Sequence, residues 1–98
     1  MGHFVITFRF EYDGSYQERY DSFTKKVREI ASAQWEETSS FYAIEASGTA
    51  ESIRDTLYFQ TGFMESKDQM VVIDLDNRVK AIKGNVKYTS TLARCLGF

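Results

Sequence analysis

The chain is short of histidine, cysteine and the motifs that carry chemistry. It has one histidine and one cysteine in 98 residues, so it cannot assemble a zinc-binding cluster. It holds no Walker loop, no GxGxxG, no CxxC and no HExxH. Cys95 has no partner for an intramolecular disulfide, and no apolar run follows a basic N-terminal region, so the expected compartment is the cytoplasm. Met1-Gly2 does not open a myristoylation signal, because Ile6 stands where Ser or Thr is needed. No stretch approaches the roughly 18–20 apolar residues of a membrane span, so a membrane is not an expected partner. There is no proline, no internal repeat and no low-complexity segment.

What is present is a small, aromatic-rich domain. Ninety-eight residues suffice for one domain and are too few for two. Aromatics make up 15% of the chain, more than a minimal core requires, which suggests that some lie at a subunit interface. The stretch His3–Gly14 places Phe4, Ile6, Phe8, Phe10 and Tyr12 on one parity, with Val5, Thr7, Arg9 and Glu11 on the other. That period of two predicts a central strand ending at Asp13-Gly14.

Ser15-Tyr16-Gln17-Glu18 reads as a capping box, so a helix should start at Tyr16. Its stripe of Tyr16, Tyr20, Phe23, Val27 and Ile30 steps by four and three residues. Phe41–Ile44 reads as a strand, and Trp35–Thr38 as a short separate strand or the start of one long strand bent at Ser39-Ser40. Ser47-Gly48-Thr49 opens a second helix with Ala50, Ile53 and Leu57 buried and Gly62 placed to end it, Phe63 folding back on Tyr58. Met70–Leu75 is a buried strand, and Val79–Ile82 returns as a hairpin strand ended by Gly84-Asn85. Two helices on one face of a four- or five-stranded antiparallel sheet make an α+β, ferredoxin-like split βαβ domain over residues 1–84.

Residues 85–98 form a basic tail, and charge is divided unevenly along the chain. Residues 1–76 carry all 14 acids, whereas Asn77–Phe98 holds Arg78, Lys80, Lys83, Lys87 and Arg94 and no acid. Such a tail docks on its own acidic body, docks on a partner subunit, or touches phosphate. An acidic body by itself opposes nucleic acid, whose binding draws on counterions released opposite Lys and Arg. A classical RNA-recognition sheet would carry paired aromatics on its third strand, and Met70–Leu75 has none. Asp13, displayed where a strand gives way to a helix, is either the first residue of a Gly-containing turn or a ligand for Mg²⁺ or Mn²⁺. Asp74 and Asp76 read as turn residues, His3 as an exposed one.

The order of elements, with Tyr12-Asp13 after the first strand, Glu37-Thr38-Ser39-Ser40-Phe41-Tyr42 on a later one and Asp68–Leu75 leading into an apolar strand, resembles one superfamily. It is that of the small CRISPR-associated subunit of the spacer-acquisition complex and virulence-associated protein D. The resemblance implies a ferredoxin-like homodimer that is a metal-dependent nuclease or a duplex-DNA scaffold, with a C-terminal segment that crosses to the partner. It maps Asp13 onto the metal carboxylate and Ser39 with Phe41 onto the strand motif.

Three functions follow as expectations. The first is a homodimeric binding module for nucleic acid or another protein, with Arg9, Arg78, Lys80, Lys83 and Lys87 as contacts. The second is a divalent-metal endoribonuclease using Asp13 from both subunits, with Mg²⁺ or Mn²⁺ as cofactor. The third is an acidic protein inhibitor that covers a basic surface, as phage- or plasmid-encoded inhibitors do.

Overall fold

The computed structural model describes residues 1–98. In chain order it contains β1 (Gly2–Arg9), α1 (Tyr16–Ile30), β2 (Ala31–Trp35), β3 (Phe41–Ala46), α2 (Ala50–Phe59), β4 (Gln69–Asp74), β5 (Val79–Gly84) and α3 (Thr89–Leu96). The strands form one antiparallel sheet in the order β2-β3-β1-β4-β5. This is the split βαβ arrangement with a fifth strand added at one edge, and β1 lies at its centre.

Alternation along β1 decides which face is covered. Phe4, Ile6 and Phe8 are buried, and so are Tyr42, Ile44 and Ala46 of β3, Met70 and Val72 of β4, and Ala81 of β5. Against this face α1 brings Phe23 and Val27, and α2 brings Ala50, Ile53 and Leu57. Each buried Val, Leu, Ile, Phe or Met among them contributes about 1.5–3 kcal/mol by leaving water. Around Phe23 the aromatics pack edge-on or tilted, as their quadrupoles prefer: Phe8 to Phe23 at 4.8 Å and Phe10 to Phe23 at 5.2 Å between ring centres.

The opposite face carries Val5, Thr7 and Arg9 of β1, Val71 and Ile73 of β4, and Lys80 and Ile82 of β5, each exposed or half-buried. Basic residues 85–98 return over the β4–β5 side of it as α3. Lys80 Nζ donates to the Phe98 carbonyl at 2.6 Å and Arg78 Nη2 to the Gly97 carbonyl at 3.2 Å. No residue of α3 is fully buried. No helix is long and apolar enough to cross a membrane.

Four local expectations are corrected. The strand ends at Arg9 rather than Tyr12, because the Glu11 backbone turns away to bond side chains: its N–H donates to Asp68 Oδ1 at 3.1 Å and its carbonyl accepts from Arg19 Nη2 at 2.9 Å. Ser15 precedes α1 but makes no capping box, since its hydroxyl donates to Asp13 Oδ1 at 3.0 Å. The reciprocal box forms instead at α2, where Thr49 and Ser52 exchange side-chain-to-backbone bonds of 2.8 and 3.0 Å. Gly62 does not end α2, whose cap is Gln60. A Cβ at Gly62 would lie 3.2 Å from Arg19 Cα and from Ser22 Oγ, so this glycine serves the close approach of the loop to α1. The contact of Phe63 with Tyr58 does form, at 6.0 Å between ring centres. Trp35 and Phe41 lie on separate strands, but β2 runs Ala31–Trp35, so the expected strand Trp35–Thr38 does not form: Trp35 ends β2, and residues 36–40 make the connection to β3, in which Ser40 adopts φ 54°.

Candidate functional site

The site is built where β1 leaves the sheet. Arg19, on the inward stripe of α1, is only 4% exposed, and Asp68, just before β4, is fully buried. Arg19 grips Asp68 with two parallel bonds, Nε to Oδ2 at 3.1 Å and Nη2 to Oδ1 at 2.9 Å. The remaining capacity of Asp68 is filled by the N–H groups of Glu11 and Met64, at 3.1 and 3.0 Å. The third guanidinium nitrogen, Nη1, donates to Asp13 Oδ1 at 2.7 Å and to the Ser15 hydroxyl. The two carboxylates raise the affinity of Arg19 for its proton, Asp68 most strongly, so it stays charged despite its burial.

Asp13 is thereby committed. Its Oδ2 accepts from Lys67 Nζ at 2.6 Å, and its Oδ1 accepts from Arg19, the Ser15 hydroxyl and, at 2.9 Å, the Ser15 N–H. Lys67 first, then Arg19, holds its carboxyl well below the ordinary value of 3.8. A divalent cation here would meet two cations already bonded to the carboxylate. No group of three or more His, Cys, Asp or Glu side chains is arranged to hold a metal ion. The donor set at Asp13 therefore does not fit Mg²⁺ or Mn²⁺.

On the solvent side of this network lies a cleft of about 500 Å³. Its cations are Arg9 from the end of β1, Lys67 from the loop before β4 and Lys87 from the β5–α3 connection. Gln69, Asn85 and a single acid, Glu11, complete the polar wall, and the tyrosines Tyr12 and Tyr88 flank it. Both rings are unusually open to water, Tyr12 at 87% and Tyr88 at 77% exposure. Tyr12 leads into a ladder along α1, with Tyr12 to Tyr16 at 5.2 Å and Tyr16 to Tyr20 at 5.6 Å. Lys67 shares its charge with Asp13, whereas Arg9 and Lys87 are exposed and enter no ion pair.

The five cations singled out in the sequence thus divide. Arg9 and Lys87 line the same cleft. Lys83 turns to the helical side, 4.4 Å from the Tyr58 ring centre and 3.5 Å from Glu65. Arg78 and Lys80 lie over the Phe98 ring at 5.3 and 5.7 Å, at the far end of α3. Ser39 does not lie on a strand as the motif requires: it is exposed in the β2–β3 turn, where the left-handed φ of Ser40 interrupts the strand, whereas Phe41 is on β3, edge-on to Trp35 and in register with Thr7. Asp74 is a turn former: its Oδ1 accepts from the N–H groups of Asp76 and Asn77, both at 3.0 Å. Exposed His3 meets Asp76 at 2.9 Å.

Sequence reasoning missed Arg19, Lys67, Asp68, Tyr12 and Tyr88. One signal was available: Arg19 stands four residues before Phe23 on the apolar stripe of α1, where a charge requires a buried partner. No family model, curated protein or solved structure matches this chain. The resemblance to the spacer-acquisition and virulence-associated superfamily rests on the quoted residues alone.

Proposed function

We propose that the protein is a binding module for single-stranded nucleic acid, gripping phosphates with Arg9, Lys87 and Lys67 and stacking bases on Tyr12 and Tyr88. The observation that carries this reading is the pair of unpartnered cations, Arg9 and Lys87, in one cleft between two exposed tyrosine rings. Phosphate contact supplies affinity without regard to sequence, and an aromatic face accepts any base, each stack contributing about 1–3 kcal/mol. The net charge of −2 does not oppose this locally, because the cleft wall holds three cations and one acid. A metal-dependent ribonuclease is not favoured, since Asp13 is bonded to Lys67 and Arg19.

Self-association is a second element of the reading. The half of the second face left open by α3 carries Trp35, 43% exposed, with half-buried Val5, Phe41 and Ala43. A homodimer through this strip is checked by the mass in solution: twice the 11.3 kDa chain supports it and a monomer at high concentration removes it.

Fluorescence anisotropy with a labelled oligonucleotide tests the nucleic-acid reading. Three phosphate contacts predict a slope of log affinity on log salt of about −2, at roughly −0.7 per contact for single strands. Arg9→Ala with Lys87→Ala should flatten the slope to about −0.7. Arg78→Ala with Lys80→Ala should leave it unchanged. No binding at low salt, or equal slopes in both double variants, would remove the proposal.

A further inference from the structure

Next to the basic cleft, and sharing Arg9, Gln69, Lys87 and Tyr88 as its wall, is a second cavity of about 260 Å³ with a different character. Its floor is the second face of the sheet, where Thr7 and Val71 are paired in register. Its roof is Val86, Tyr88 and Leu92, from the start of the basic tail and from α3. Its lining is mainly apolar, whereas that of the cleft is mainly polar. For scale, an enclosed apolar cavity of about 150 Å³ holds one benzene molecule; this one is open to solvent on one side, so it offers a seat for one flat ring system and not for a whole drug-sized ligand.

Resting on the nucleic-acid reading above, we infer that this compartment takes one nucleobase, turned out of the strand whose phosphates lie on Arg9 and Lys87. The continuity of the two cavities selects the occupant. An apolar slot that opens onto two unpaired cations fits a group that is flat and apolar at one end and anionic at the other, joined by a short link. A nucleotide within a strand has that form. Seated there, the base lies over Val71 and Thr7 and under Leu92, with its phosphate held at the shared wall. Neighbouring bases stack on Tyr12 outside.

Such seating requires an unpaired base, so duplex should bind more weakly than the single strand. It also makes one position of a bound strand unlike the others. Walking a single abasic site along a short single-stranded oligonucleotide should therefore lower affinity sharply at one position, about 10- to 100-fold for a stacked and buried base, and only slightly elsewhere. A 2-aminopurine at that same position should change its fluorescence most on binding. Thr7 is exposed, so Thr7→Phe fills the compartment from the sheet side with little strain on the core. In that variant the abasic penalty should disappear while the salt slope stays at the wild-type value. Equal penalties at every position, or a penalty that persists in Thr7→Phe, would overturn the inference while the cleft reading stands. Absence of binding to any oligonucleotide would overturn both.

Discussion

Replacing Arg19 by Met tests whether the Asp13–Arg19–Asp68 network holds the site together. Asp68 has no exposure and Arg19 almost none, so the substitution leaves a buried carboxylate with only the Glu11 and Met64 N–H groups. Removing one partner of such a pair costs about 3–5 kcal/mol, much of it the desolvation of the charge left behind. A domain of this size has about 5–15 kcal/mol in all. At about 4–8 °C per kcal/mol, melting should fall by at least about 12 °C. Thermal and urea unfolding followed by circular dichroism give both the loss and the midpoint.

Asp68→Asn should be nearly as damaging, because in either orientation its amide nitrogen would face an Arg19 donor together with the Met64 or the Glu11 N–H. The double variant Arg19→Met, Asp68→Asn removes both charges and should recover about 1–3 kcal/mol relative to the sum of the single losses. A loss below about 1 kcal/mol for Arg19→Met, or strict additivity in the double variant, would refute the view of this pair as a buried, mutually dependent unit.

Three further outcomes follow. Gly84 has φ +94°, and a Cβ there would sit 2.0 Å from the Asp68 carbonyl oxygen, so Gly84→Ala should cost more than about 1–3 kcal/mol in thermal unfolding; a smaller loss would show that the β5 end yields easily. Thr49→Ala removes the cap of α2 and should cost about 1 kcal/mol, read from the same melts. Asp13, Glu36 and Asp74 have carboxyls lowered chiefly by Lys67, Arg28 and Asn77 respectively, so the unfolded chain takes up protons first on acidification. Stability should stay level from neutral pH down to about 5 and fall through and below the ordinary values of 4.5 and 3.8. At the other end, burial raises the Tyr42 hydroxyl to about 12, so stability should also decline between pH 10 and 12. A flat acid limb in pH-dependent urea unfolding would contradict the acid part, and a flat alkaline limb the Tyr42 part.

The architecture was legible wherever one period ran uninterrupted. Phe4, Ile6 and Phe8 alternate without a break, and β1 is the middle strand; Phe23 and Val27 lie on the predicted stripe of α1. The site was less legible because its residues meet through tertiary structure. Arg19 and Asp68 are separated by 49 positions, and no local pattern pairs them. Ser15-Tyr16-Gln17-Glu18 has the letters of a capping box, yet the Ser15 hydroxyl is drawn to Asp13 and Arg19, a stronger electrostatic environment than the α1 terminus alone. Gly62 has the position of a helix terminator, yet its role is set by α1, some 40 residues earlier. The basic tail was recognisable by charge, but only the sheet shows that Lys87 lines one cleft with Arg9 while Lys80 and Arg78 hold the other end of α3.

Amide and side-chain NMR shifts, followed while a short single-stranded oligonucleotide is added at low salt, examine the basic cleft residue by residue. The largest changes are predicted at Arg9, Tyr12, Lys87 and Tyr88, with Arg78, Lys80 and the β2–β3 turn unmoved. Changes centred on Arg78 and Lys80, or none anywhere, would contradict the assignment of the cleft as the binding site.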